Sequence, residues 1–254
     1  MKLKEQVVLV TGASRGLGAT TAKAFGREGA KVIVNYRKSK EEAEAVVQAI
    51  GEKQAIALQA DVRDETAVKK MFTRAKEHFK KPITTIVNNA LIDFSFDGDQ
   101  RNKLDTIKWS EFETQLQGSV QAALHTLRAG YDDMKVNKFG RIINIGTNLV
   151  QHPVVPYHDY NSAKAALLGF TRSMAQELGA DGITVNMVSG GLLRTTDASA
   201  ATPDEVFELI KQNTPLQQVT TPEDLADTVL FFASPWSRAV TGQNLIVDGG
   251  LVMN

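Results

Sequence analysis

Directly after a short apolar run, Val7-Val8-Leu9-Val10, the sequence reads Thr11-Gly12-Ala13-Ser14-Arg15-Gly16-Leu17-Gly18 and then enters an amphipathic helical pattern. Glycines here let the backbone turn tightly and let a phosphate approach it without Cβ clashes. The helix start adds free N–H groups and the positive end of a dipole. The spacing is G-x-x-x-G-x-G rather than the common G-x-G-x-x-G, with Thr21 where a third glycine would fall. An ordinary strand-to-helix turn is the plain alternative. Placement at the first strand–helix junction favours a pyrophosphate site built from Gly12, Ser14, Arg15, Gly16, Leu17 and Gly18.

The rest of the chain repeats this strand-then-helix order. Strand-like runs occur at Val7–Val10, Lys31–Asn35, Ala55–Leu58, Thr84–Val87, Arg141–Ile145, Thr184–Val188 and Leu245–Val247. Several lack polar alternation, as strands buried on both faces should. Between them, Phe112, Leu116, Val120, Leu124, Leu127, Tyr131 and Met134 form one apolar stripe at steps of three or four. Ala163, Leu167, Phe170, Met174 and Leu178 form another. This predicts an α/β fold: a doubly wound, mostly parallel Rossmann-type sheet in a single domain over residues 1–254, with ligands bound beyond the carboxyl ends of the strands. The stretch Leu91 to Thr106, rich in Asp and Asn, reads as a surface loop.

Composition removes other classes. Lys+Arg and Asp+Glu both number 29, so the basic excess of a nonspecific nucleic-acid binder is missing. With no cysteine, disulfides, thiol chemistry and Cys-ligated zinc are excluded, and four scattered histidines give no metal-ligand spacing. The run after Met1-Lys2-Leu3-Lys4 is too short for a secretory signal, and no stretch approaches the ~18 apolar residues of a membrane span. A cytoplasmic protein without a membrane or nucleic-acid partner is the expectation.

The second strand ends Val34-Asn35-Tyr36-Arg37-Lys38, and no acid appears before Glu41. An NAD enzyme usually places a carboxylate on the ribose 2′-hydroxyl about 20 residues after the glycines. A guanidinium instead pairs with a 2′-phosphate. Arg37, with Arg15 and the Tyr36 position beside it, therefore predicts NADP(H) over NAD(H); a solvated loop is the alternative.

Tyr160-Asn161-Ser162-Ala163-Lys164 opens a helical run and places Tyr160 and Lys164 on one face. A free phenol, with a pKa of about 10, transfers protons poorly at neutral pH. A neighbouring ammonium would lower that value. By itself the pair is usually a surface coincidence. Thirteen residues earlier, the strand at Arg141–Ile145 ends at Gly146-Thr147, whose hydroxyl can meet a carbonyl oxygen beside the tyrosine.

Glycine turn, strand-end hydroxyl and Tyr-x-x-x-Lys occur in the order and spacing of the short-chain dehydrogenase/reductase family. The resemblance spans the chain and includes Asp61-Val62, Asn88-Asn89-Ala90, Gly190-Gly191, Thr241-Gly242-Gln243 and Asp248-Gly249-Gly250. The last segment looks most like 3-oxoacyl-[acyl-carrier-protein] reductases of fatty acid biosynthesis. The resemblance implies that Tyr160 is the general acid, that Lys164 lowers its pKa and binds the nicotinamide ribose, and that Thr147 orients the carbonyl. It also implies that Asp61 and Val62 flank the adenine, that Asn88 and Ala90 line the cofactor groove, and that Gly191, Leu193 and Thr195 hold the carboxamide or diphosphate.

The sequence departs from the family pattern at four positions. Thr147 replaces the usual Ser, which predicts a narrower carbonyl pocket. Leu91 replaces a Gly and would fill the pocket or shift the loop. Gln115 replaces the helical Asn of a proton relay through water. Gly190 replaces a Pro, which predicts a looser turn.

The segment Leu192 to Ala201 resembles the family's mobile substrate loop, and residues His152 to His158 would wall an apolar pocket. Arg128, Lys138, Arg141 and Arg172 read either as a basic patch for an acidic acyl carrier or as scattered solubilising charge. The resemblance implies a homotetramer. The leading expectation is an NADPH-dependent carbonyl reductase of the 3-oxoacyl type. A dehydrogenase of another secondary alcohol, or a non-catalytic NADP(H)-binding sensor, are the alternatives.

Overall fold

In the computed structural model, which describes residues 1–253 apart from 95, 195, 197, 198 and 201, seven strands form one sheet. They are β1 (Val7–Val10), β2 (Lys31–Tyr36), β3 (Ala55–Gln59), β4 (Thr85–Asn88), β5 (Gly140–Thr147), β6 (Ile183–Gly190) and β7 (Asn244–Val247). Every pairing is parallel and the order is β3-β2-β1-β4-β5-β6-β7. The expected α/β doubly wound architecture is therefore present, and each strand ends within two residues of its sequence-based bounds. β5 and β6 run longer because Gly146 pairs with Ser189 and Thr147 with Gly190.

The helices are α1 (Gly16–Arg27), α2 (Lys40–Ile50), α3 (Glu65–Phe79), α4 (Trp109–Leu116), α5 (Ala122–Asn137), α6 (His158–Leu178), α7 (Asp204–Asn213) and α8 (Pro222–Ala233). Local chemistry sets several ends. Asp64 caps α3 by accepting from Thr66 N and Ala67 N. Thr221 and Asp224 form a reciprocal box at the start of α8, with Pro222 in its first turn. One core on one face of the sheet gathers Val8, Val10, Phe25, Val34, Val229 and Phe232. The other gathers Leu9, Ile33, Met71, Ile86, Ile142 and Val185. Alternate residues of the same strands thus serve opposite layers, which is why the runs carry no polar alternation.

The long stripe from Phe112 to Met134 is not one regular helix. α4 and α5 are joined by a π-helical turn at Gln117–Gln121. Gly118 lies there against Ile92, and a Cβ would come within 2.7 Å of Ile92 Cγ1. π turns inside helices often occur at functional sites, and this one borders the cavity described below.

The strand order reverses at β1, between β2 and β4. That is the switch point at which open α/β sheets bind ligands, and it brings together the carboxyl ends of β1, β2, β4 and β5.

Candidate active site

The glycine turn is held from three sides. Asn35 at the end of β2 accepts from Gly12 N at 3.2 Å through Oδ1, and its carbonyl accepts from Ala13 N at 2.8 Å. Asn89 donates from Nδ2 to the carbonyls of Thr11 and Gly12, at 2.9 and 3.2 Å. The Thr11 hydroxyl accepts from Asn89 N and Ala90 N. A Cβ on Gly12 would come within 2.8 Å of Ala90 Cα, and one on Gly18 within 2.4 Å of Gly12 O. Gly16, at φ +53°, is open, with only Thr196 Cβ at 3.9 Å. A turn that is crowded beneath and open above fits a pyrophosphate lying on backbone N–H groups. Ser14 and Leu17 are half-buried around it, and Arg15 is exposed. Sequence reasoning gave Asn35 no role and quoted Asn89 only as part of a motif, since an amide that bonds to a distant turn gives no periodic signal.

Past β2 and β3 lies an open recess of about 630 Å³ lined by Arg37, Lys38, Gln59, Asp61, Arg63 and Asp93, among others. Arg37 donates from Nη2 to Asp93 Oδ1 at 2.9 Å. Arg63 grips Asp61 from Nε at 3.0 Å and Nη2 at 2.7 Å, and its Nη1 stands 3.8 Å from Asp93 Oδ2. The Arg63 hydrogen bond holds Asp61 below the usual carboxylate range, and Arg37 does the same for Asp93. Arg63 and Asp93 were both missed by sequence reasoning. The Tyr36 side chain is buried in the core, so only its backbone is left for the recess.

At the other end of the crevice, Tyr160 and Lys164 lie in the first turns of α6, and both are almost wholly buried. Lys164 Nζ donates to Ile145 O at 2.7 Å and sits 5.5 Å from the centre of the Tyr160 ring. Burial lowers Lys164 to about 8. Burial also raises the Tyr160 phenol well above the ordinary tyrosine range, while the Thr147 hydroxyl pulls it back down. Lys164 is not among the groups that shift Tyr160 here, where burial dominates. Desolvation penalises the phenolate more than its neighbours stabilise it. A small cavity of about 10 Å³ reaches from Lys164 to Thr11 at the start of the glycine turn, past Val62, Asn88, Ala90 and Ser119. That is room for about one water.

The cover over Tyr160 comes from the segment expected to be a plain surface loop. Phe94 stacks on the Tyr160 ring at 4.7 Å and 28°. Phe96 meets it edge-on at 5.5 Å, and Phe94 also contacts Tyr157. Arg101 lies over Phe94 at 4.4 Å and ion-pairs with Asp159, which is 2% exposed. Of the run expected to wall the pocket, His152, Pro153, Val154 and His158 are exposed, and only Tyr157 is fully enclosed. Leu91 turns outward, whereas Ile92 packs with Val62 and Ala122.

Other expected residues are placed as follows. Gln115 is buried and donates to Ile92 O at 2.9 Å, so its amide anchors the covering segment. The Asn88 side chain is committed to Asn144 and Thr126, which leaves its backbone for the groove. Gly191 packs against Asn148 and Asp248, and Leu193 rests on the core. Gly190 is not loose: it closes β6, and a Cβ would strike Leu225 at 2.6 Å. Thr195 and part of the Leu192 to Ala201 segment lie outside the described residues. The supposed basic patch loses Arg141, which is buried over Phe139, and Lys138, which pairs with Asp181. No helix among the described residues is long and apolar enough to cross a membrane, and no metal-ligating cluster occurs among them.

The sequence family described as enoyl-(acyl carrier protein) reductase matches residues 12–252. A 3-oxoacyl-[acyl-carrier-protein] reductase of Staphylococcus aureus is 35% identical over 247 residues, covering 96% of this chain and 97% of its own. The enzyme of the same description from Synechocystis is 35% identical over 256 residues, covering 99% and 98%. Versicolorin reductase of Emericella nidulans is 34% identical, covering 98% and 96%. A crystal structure of an Agrobacterium tumefaciens protein proposed to be a gluconate dehydrogenase superposes with a TM-score of 0.89 at 28% identity, covering 99% and 98%. With the glycine turn, the switch-point crevice and the Tyr160–Lys164 pair in place, the chain belongs to the short-chain dehydrogenase/reductase family of oxidoreductases.

Proposed function

We propose that the chain is an NADP(H)-dependent carbonyl reductase acting on a 3-oxoacyl thioester. The observation that carries this reading is the buried Tyr160–Lys164 pair in the first turns of α6, next to Thr147 at the carboxyl end of β5 and at the same edge of the sheet as the glycine turn after β1. The relatives described as 3-oxoacyl reductases supply the substrate class.

A nicotinamide held in the crevice would supply the hydride for the carbonyl carbon. The chain's residues do the rest. Tyr160 gives its phenolic proton to the carbonyl oxygen as that oxygen gains negative charge. Burial holds the phenol protonated in the resting site, and the cation of Lys164 has to bring its pKa down for the transfer. Lys164, buried one helical turn away, stabilises the phenolate left behind. Thr147, beside Tyr160, donates to the same oxygen and orients it. The glycine turn would hold the diphosphate with Leu193, a role the resemblance extends to Thr195, while Asp61 and Val62 would flank the adenine. Arg37, with Arg15, takes the 2′-phosphate. The half-buried Phe112, Leu116, Val120 and Leu124 are the face for assembly into a homotetramer, as the family resemblance implies, and the setting is cytoplasmic.

The stacked cover on Tyr160 and the engaged Gln115 amide favour a second reading, an NADP(H)-binding sensor that does not turn over. One assay separates the two: NADPH absorbance followed with a panel of 3-oxoacyl thioesters and small ketones, wild type beside Tyr160→Phe. The reductase reading expects a rate loss of about 10²–10⁴-fold with cofactor binding retained. Tight cofactor binding with no turnover of any carbonyl overturns it in favour of the sensor.

A further inference from the structure

The two ends of the crevice are joined by consecutive residues. Asp93 lies in the recess between Arg37 and Arg63, and Phe94, the next residue, lies on Tyr160. Asp93 holds a left-handed backbone at φ +44°, a conformation that L-residues other than glycine adopt at a cost, Asp and Asn less than most. The recess contains three cations, Arg37, Lys38 and Arg63, against three carboxylates, Asp61, Asp64 and Asp93. Asp61 is committed to Arg63 by two hydrogen bonds from that side chain. Asp93 is the carboxylate whose removal would leave the recess cationic beside Arg37.

From this juxtaposition we propose that Asp93 is an internal stand-in for the nucleotide's 2′-phosphate, and that its displacement by that phosphate draws Phe94 off Tyr160. The proposal rests on the NADP(H) reading above. A phosphate monoester carries nearly two charges and three acceptor oxygens, so it outcompetes a single half-exposed carboxylate for the two guanidiniums. Asp93 and Phe94 are consecutive, with Cα atoms about 3.8 Å apart, so a backbone shift that withdraws Asp93 from the recess carries Phe94 with it. A nucleotide without the 2′-phosphate leaves Asp93 seated and Tyr160 covered. Asp93 is thus a specificity-determining residue twice: it raises the threshold for anions at Arg37, and it makes access to Tyr160 depend on the right cofactor. Arg63 becomes a further 2′-phosphate contact, beside Arg37 and Arg15.

The probes are adenosine 2′,5′-bisphosphate and adenosine 5′-diphosphate, titrated by calorimetry against wild type and Asp93→Asn, which keeps the tolerance for positive φ. Removing one exposed ion-pair competitor should tighten the 2′,5′-bisphosphate by about two- to fivefold and leave the 5′-diphosphate unchanged. In Phe94→Trp, tryptophan emission should shift to the red with the 2′,5′-bisphosphate only, beyond any change from the exposed Trp109 and Trp236 of the parent. In Phe94→Trp with Asp93→Asn, the shift should be present before ligand is added. Unchanged or weaker 2′,5′-bisphosphate binding in Asp93→Asn overturns the proposal, as does a silent Phe94→Trp. If wild type binds the two nucleotides equally, the NADP(H) reading itself fails and takes the proposal with it. A wild type that prefers the 2′-phosphate with no effect of Asp93→Asn removes the proposal alone.

Discussion

The Tyr160 and Arg37 ends of the crevice are built on opposite electrostatic terms. Around Tyr160 the groups are enclosed. Tyr160, Lys164 and Asp159 are almost without solvent contact, and burial dominates the shifts of the first two. Around Arg37 the charged groups keep water, with Arg37 29% and Asp93 55% exposed, and hydrogen-bonded pairing dominates instead. Where water is excluded, a charge without a partner is costly and a proton is held tightly. Where water stays, ion pairs contribute little to stability and can exchange partners. The first arrangement suits chemistry and the second suits selection among ligands.

Arg101→Met should break this contrast most severely. It leaves Asp159 buried and uncompensated, with its Oδ1 already without a hydrogen-bond partner among the described residues. Stability in urea should fall by about 3–5 kcal/mol, and Asp159→Asn should restore most of the loss. A loss below about 1 kcal/mol would mean that this pair behaves like the exposed ones at the Arg37 end.

Lys164 sharpens the enclosed half. Its folded pKa of about 8 lies below the ordinary 10.5, so below pH 8 it is charged in both states and the folded state bears the whole cost of burying that charge. Above pH 8 the folded protein loses the proton first, and the unfolded chain binds more. Stability should therefore rise by about 2 kcal/mol between pH 8 and 9.5 relative to Lys164→Met, read from paired denaturation curves. Parallel curves would show that Lys164 keeps water. The smallest expected effect belongs to the open half. Arg37→Glu should weaken NADPH by about tenfold and NADH by much less, measured as dissociation constants. Equal losses would remove the 2′-phosphate from that end.

What the sequence disclosed follows the same divide between periodic and tertiary information. The strands were legible because β-branched runs buried on both faces need no partner to be recognised. The glycine turn was legible because Gly12 and Gly18 answer a local backbone demand. Tyr160 and Lys164 were legible as a pair four residues apart on a helix. Phe94 on Tyr160 and Asp93 on Arg37 were not. Each joins residues more than fifty positions apart through an irregular segment with no period to betray it. Arg63 stood two residues after Asp61, a spacing that permits the local grip seen here, and it could have been read. The interruption between α4 and α5 escaped because Phe112 through Met134 keep their stripe across the π turn.

The segment carrying Asp93, Phe94 and Arg101 leaves the sheet after Asn88 and returns to regular structure at Trp109. No strand register and no layer of the two cores fixes its length. The cover on Tyr160 is therefore carried by a stretch whose length the sheet does not dictate, so it can be altered without disturbing the strands that position Thr147 and the glycine turn.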